Sequence, residues 1–220
     1  MSIRTTYDQE LANLSADLIQ MGSTATDAID KAILVFNTNN KELAQQVIDD
    51  DSFIDELERN IEKRCLQILL KQQPVASDLR KVSAAIKMIT DIERIGDIAA
   101  DIAEICLHLE TTISPEMSKL INDMAQAARD MVSDAIKAYV DEDLELANQV
   151  KKRDDIVDDY FIEIRNLLGK LMIENNEQMD IAMDYLMIIK YLERVGDHGK
   201  NISKWVIFYK TGIHKKERII

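Results

Sequence analysis

The sequence predicts an all-α protein, two tandem three-helix bundles with six long helices related by internal duplication. Three observations predict it. Helix breakers are scarce, with Gly 6, Pro 2 and aromatics 5% in 220 residues, while Ala, Leu, Ile, Met, Glu, Lys and Gln fill long runs. Apolar residues recur at steps of three and four over segments of about thirty residues, the signature of amphipathic bundle helices. The stretch Asp91-Ile-Glu-Arg-Ile-Gly-Asp97-Ile-Ala-Ala-Asp101 returns one hundred positions later as Tyr191-Leu-Glu-Arg-Val-Gly-Asp197-His-Gly-Lys-Asn201. A hydrophobic content of 46% suffices for a substantial core.

The first helix is expected from about Thr5 to Phe36, on the stripe Leu11, Leu14, Leu18, Met21, Ala25, Ala28, Ala32 and Val35. Asn37-Thr-Asn-Asn40 supplies a turn and an N-cap, with Glu42 three residues after Asn39 as in a capping box. The second helix, about Lys41 to Lys71, has its stripe at Val47, Ile54, Ile61 and Ile68. Asp51 and Glu58 project within roughly 40° of that stripe, and an acid on the inward side needs a partner.

Pro74 ends this helix, and Ser77 or Asp78 can cap the third, which runs to about Leu109. Ser114-Pro115-Glu116 is the strongest punctuation in the chain: an N-cap, a proline at the first helical position and an acid in the first turn. It divides the chain into 1–112 and 113–220. Ala44-Gln-Gln-Val47 recurs as Ala147-Asn-Gln-Val150, and at the same offset of 103 Asp51, Ile54 and Asp55 fall on Asp154, Val157 and Asp158. The offset drops to 100 by the third helix, which places a three-residue deletion close to Glu174-Asn-Asn176. A period near one hundred residues fits duplication of a small domain rather than a solenoid.

The formal charge of −13 argues against nucleic acid, whose phosphates need a basic face, and suits cations or a basic partner. Cys65 and Cys106 match no metal or redox spacing and are expected as buried thiols in a reducing compartment. The N-terminus turns polar at once, and no run approaches the ~20 apolar residues of a membrane span. The expected location is the cytoplasm. The basic tail, Tyr209 to Arg218, reads first as a frayed, solubilising end and second as a segment that touches an acidic partner or the membrane surface.

Four acid-x-x-x-acid pairs stand at matched positions: Asp51 with Asp55, Glu93 with Asp97, Asp154 with Asp158, and Glu193 with Asp197. On a helix this spacing puts both carboxylates on one face, about 5–6 Å apart between Cβ atoms. If the second and third helices of each half pack antiparallel, two pairs converge on one site with oxygens enough to hold a hard or borderline cation. Without cations, such convergence is a like-charge penalty. Arg94 and Arg194 adjoin the pairs and are the competing source of neutralisation. Gly96 and Gly196, each within a helix, mark close approach of another element. His198, one residue after Asp197, points about 100° away from it and is expected to pack rather than ligate.

The residues Glu93-Arg-Ile-Gly-Asp97 and Glu193-Arg-Val-Gly-Asp-His198, the entry Gln73-Pro-Val-Ala-Ser-Asp-Leu-Arg80 and the twofold three-helix plan together resemble the PhoU family of phosphate-uptake regulators. The resemblance covers residues 5 to 210. It implies a cytoplasmic, dimeric negative regulator of phosphate uptake that contacts the ATPase of the phosphate ABC transporter and a phosphate-sensing histidine kinase. It also implies multinuclear iron or zinc clusters, or other divalent cations, at the four acid pairs. Asn201 in place of Asp101 makes the two prospective sites unequal. Two other functions compete: a carboxylate-bridged metalloenzyme, disfavoured because Glu-x-x-His ligand spacing is missing, and a metal-free helical scaffold.

Overall fold

The structure is a computed structural model and describes residues 3–72, 76–109, 114–174, 178–214 and 217–218. Six helices follow in order: α1 Ile3–Thr38, α2 Lys41–Gln72, α3 Ala76–His108, α4 Pro115–Val140, α5 Leu144–Glu174 and α6 Met179–Thr211. They form two three-helix units in tandem. Within the first unit α1, α2 and α3 all touch one another, and so do α4, α5 and α6 in the second. Between the units α3 lies against α6 and α1 against α4, whereas α2 and α5 remain on the outside. Leu14, Ile92, Met131 and Leu192 belong to one continuous core.

The expected stripes face the core, with Leu11 and Ala28 on α1 only partly buried. On α2, Val47, Ile54, Ile61 and Ile68 are each at most 2% exposed, so the seven-residue spacing set that helix's inward face. Both cysteines are buried, and burial is the main cause that pushes each thiol up to about 12. Ser114 caps α4, its hydroxyl accepting from the Met117 N–H at 3.3 Å, with Pro115 at the first helical position. The α1–α2 turn corrects one expectation. Asn39 takes a left-handed backbone (φ 52°) that ends α1, and Asn40 is the cap, accepting from the Leu43 N–H at 3.0 Å. Glu142 (φ 58°) and Asp143 repeat this at the α4–α5 turn, where Asp143 accepts from Leu146 N–H at 2.9 Å.

The expected break at Pro74, the halfway point between 1–112 and 113–220, and the expected deletion near Asn175 and Asn176 fall at positions outside the described residues. After α6, left-handed Gly212 (φ 74°) turns the chain into a two-residue antiparallel pairing of β1 (Ile213–His214) with β2 (Glu217–Arg218).

Sequence differences between the halves meet across the α3–α6 contact. His198 Nδ1 lies 2.8 Å from Asp91, and the Tyr191 hydroxyl and the Asp101 carboxyl are close enough that Asp101, after burial, helps to raise the Tyr191 pKa. A second link gathers Arg80 and Lys81 at the start of α3 with Tyr139, Glu142, Tyr209 and Lys210. Arg80 Nε donates to the Tyr209 carbonyl at 3.0 Å, the Tyr139 hydroxyl to the Lys81 carbonyl at 3.0 Å, and Lys81 and Lys210 pair with Glu142 at 2.7 and 3.1 Å.

Candidate metal centre

Gly96 sets how closely α2 and α3 approach. A Cβ at this position would lie 2.7 Å from Ile54 Cδ1 and 3.0 Å from Asp51 Oδ1, so only bare backbone lets Ile54 and Asp51 seat against α3. Interior glycine costs a helix about 1 kcal/mol relative to alanine, which the packing here offsets. Gly196 is looser, with Val157 Cγ1 3.2 Å from the same virtual atom.

This approach brings α2 and α3 carboxylates together. One oxygen each from Asp51, Asp55 and Asp97 lies within 4.8 Å of the others. Burial, then the charges of Asp97, Asp55 and Asp101, push the Asp51 carboxyl up to about 6. Glu93 is outside the tight triad, yet burial and Asp97 also push it up, against Arg94. Asp51 Oδ1 and Glu93 Oε2 are buried atoms with no hydrogen-bond partner, and of the two only Glu93 Oε2 has a cation beside it, Arg94 Nε at 3.4 Å, so Asp51 Oδ1 is left in a state that a native fold seldom leaves uncompensated.

The arrangement fits a bound cation on three counts. Its donors are all hard carboxylate oxygens, the buried Asp51 Oδ1 among them has no partner, and a side chain at Gly96 would fill the cradle. Arg94 is the competitor the sequence named, and it does reach Asp97 at 2.7 Å and Glu93 at 3.4 Å. Its side chain is 53% exposed and free to withdraw into water, and no ion pair among the described residues reaches Asp51. Asp101, a further turn along α3, acts on the same Asp51 charge and was missed because its counterpart is Asn201. The signal was present: Glu93, Asp97 and Asp101 continue one four-residue rhythm.

The model of the PhoU domain matches residues 18–106 and again 121–206. The chain belongs to the PhoU domain family. It is 38% identical over 212 residues to the phosphate-specific transport system accessory protein PhoU homolog 1 of Thermotoga maritima, spanning 96% of this chain and 91% of that protein. It is 33% identical to the PhoU homolog of Clostridium acetobutylicum, over 95% of this chain and 96% of that one. The crystal structure of PhoU from Pseudomonas aeruginosa superposes with a TM-score of 0.88 at 31% identity, over 94% of this chain and all of that one.

In this PhoU chain the second acid set differs from the first. Asp154 is the buried charged residue among those described, only 4% exposed, and Lys200 Nζ donates to its Oδ2. Lys190 pairs with Glu193. Asp158 and Asp197 are exposed, and burial together with neighbouring acids raises both carboxyls. No three ligand atoms converge there within 4.8 Å among the described residues. The lysines escaped the sequence reading although the repeat offset lays Lys190 on Thr90 and Lys200 on Ala100.

Proposed function

We propose that this chain is a negative regulator of phosphate uptake and phosphate-starvation signalling, and that it works as a non-catalytic, metal-binding adaptor. Its contacts are the ATPase of the phosphate ABC transporter and a phosphate-sensing histidine kinase, and it acts in the cytoplasm as a homodimer. Asp51, Asp55, Glu93 and Asp97 hold an iron or zinc cluster, or another divalent cation, that fixes α2 against α3. The observation that carries this reading is the conjunction of a twice-matched PhoU domain with three convergent carboxylates in its first copy, the buried Asp51 Oδ1 among them unpartnered.

Further support comes from relatives named as accessory proteins of phosphate-specific transport, which this chain matches almost end to end. No described helix is long and apolar enough to cross a membrane, so contact with a transporter is made from its surface. The ligands are carboxylates, and His198 engages Asp91 rather than the cluster, so the second-half Gly-Asp-His motif adds no imidazole ligand to it.

The test is deletion of the encoding gene in its own host, with phosphate uptake and a starvation-responsive reporter read in phosphate-rich medium. Loss of the protein is expected to raise both, and the ATPase and kinase are expected to co-purify with the tagged chain. Unchanged uptake and reporter in the deletion strain would overturn the regulator; elemental analysis of the purified chain free of transition metal would overturn the metal part.

A further inference from the structure

The two carboxylate sets stand at matched positions of the internal repeat yet differ in the cationic side chains within their reach. In the first, Ala100 follows Asp97 by three residues, and Asp51 Oδ1 is left without a partner. In the second, Lys200 follows Asp197 by three residues, and its ammonium donates to Asp154, the counterpart of Asp51. The neighbours change in the same direction: Thr90 becomes Lys190, Asp101 becomes Asn201 and Glu104 becomes Lys204, each making the second set less negative. Lys204 itself donates to Asn201 at 3.0 Å.

We infer that Lys200 is the resident cation of the second carboxylate set, so that the chain loads metal at its first set alone. The inference rests on the metal reading of the first set only for its second half, and the experiment below separates the two. The physical reason lies in what each cation touches. Arg94 and Lys190 approach their clusters from the rim, with side chains 53% and 48% exposed, and water can replace them. Lys200 is 28% exposed and its partner carboxylate 6%, so the ammonium sits where a metal would have to coordinate Asp154. An incoming divalent ion must therefore expel a covalently tethered competitor held at high effective concentration and then sit beside its charge. Of the remaining second-set acids, Asp158 and Asp197 are exposed and Glu193 is paired with Lys190.

A regulatory consequence follows from the asymmetry. The α2–α3 clamp depends on metal supply, whereas the α5–α6 clamp is closed by the protein's own lysine. Metal status thus alters one end of the molecule only.

The test uses the full chain stripped with chelator and reconstituted with ferrous iron under anaerobic conditions, or with zinc. Metal content is counted, ions are located by anomalous diffraction, and hydrogen exchange is followed with and without metal. In the wild type, ions are expected at Asp51, Asp55 and Asp97 but not at Asp154, and metal removal is expected to speed exchange along α2 and α3 while leaving α5 and α6 unchanged. Lys200→Ala, which copies Ala100, should gain ions between Asp154 and Asp197 and roughly double the metal per chain. Lys200→Gln, which keeps a hydrogen-bond donor for Asp154 without the charge, should gain them too and guards against an alanine variant that fails to fold. Equal occupancy of both sets in the wild type, or folded Lys200 variants with no ion at the second set, would overturn the inference. Ions absent from the wild type but present at the second set of the variants would overturn the first-set metal reading and leave the role of Lys200 standing.

Discussion

Replacing Asp51 by Asn should make the metal-free protein more stable while abolishing its metal binding. The Asp51 carboxyl is pushed from 3.8 to about 6, first by burial and then by Asp97, Asp55 and Asp101. At about 1.36 kcal/mol per unit this is about 3 kcal/mol of penalty for the charged form, which solvent around a half-buried side chain reduces to about 1–2 kcal/mol. The sign follows from the folded value lying above the unfolded one. The folded chain binds the proton more tightly, so the penalty is absent below about pH 4, grows through the window, and is complete above about pH 6. Asn removes it, and for a chain of this size the unfolding midpoint in chelator at pH 7 should rise by about 2–8 °C. At pH 4, where Asp51 is itself largely neutral in the fold, the variant and the parent should converge. Thermal unfolding followed by circular dichroism at both pH values measures this, with metal content determined on the same preparations. A variant no more stable than the parent at pH 7, or an equal gain at both pH values, would refute the argument that Asp51 is a strained, unneutralised charge.

The other expectations concern packing and the polar link between the halves. Gly96→Ala gains about 1 kcal/mol of helix propensity but forces Ile54 and Asp51 outward at a cost of about 1–3 kcal/mol, so it should lower stability by about 1 kcal/mol and weaken metal binding. Gly196→Ala meets only Val157 at 3.2 Å and should be at least as stable as the parent, and paired denaturant titrations decide between them. Glu142→Gln should cost about 1 kcal/mol at pH 7, because Lys81 first, then Tyr209 and Lys210, hold the Glu142 carboxyl down to about 2. A depressed folded value stabilises above the unfolded 4.5 and is lost as pH falls toward 2, so the gap between variant and parent should narrow across that range in acid unfolding curves.

Much of the fold was legible in the sequence because helices are local objects. The stripe at Val47, Ile54, Ile61 and Ile68 and the cap at Ser114 depend on residues three or seven apart, and the structure keeps them. The duplicated Glu-Arg-x-Gly-Asp motif likewise announced two equivalent units. The cap at the first turn was misplaced by one residue for a different reason. Asn39 and Asn40 are chemically alike, and only the backbone path shows which takes the positive φ and which receives the Leu43 N–H.

What tertiary structure alone decided is which charges meet. Asp51 and Asp97 lie on different helices, and their convergence depends on the bare backbone at Gly96 letting α2 settle against α3. Lys200 was visible as a departure from Ala100, but a long flexible side chain has no fixed target until α5 places a buried Asp154 within its reach. Spacing along one helix fixes which face a side chain takes. The identity of its partner is set by packing between helices, and that packing gave two nearly identical motifs different neighbours.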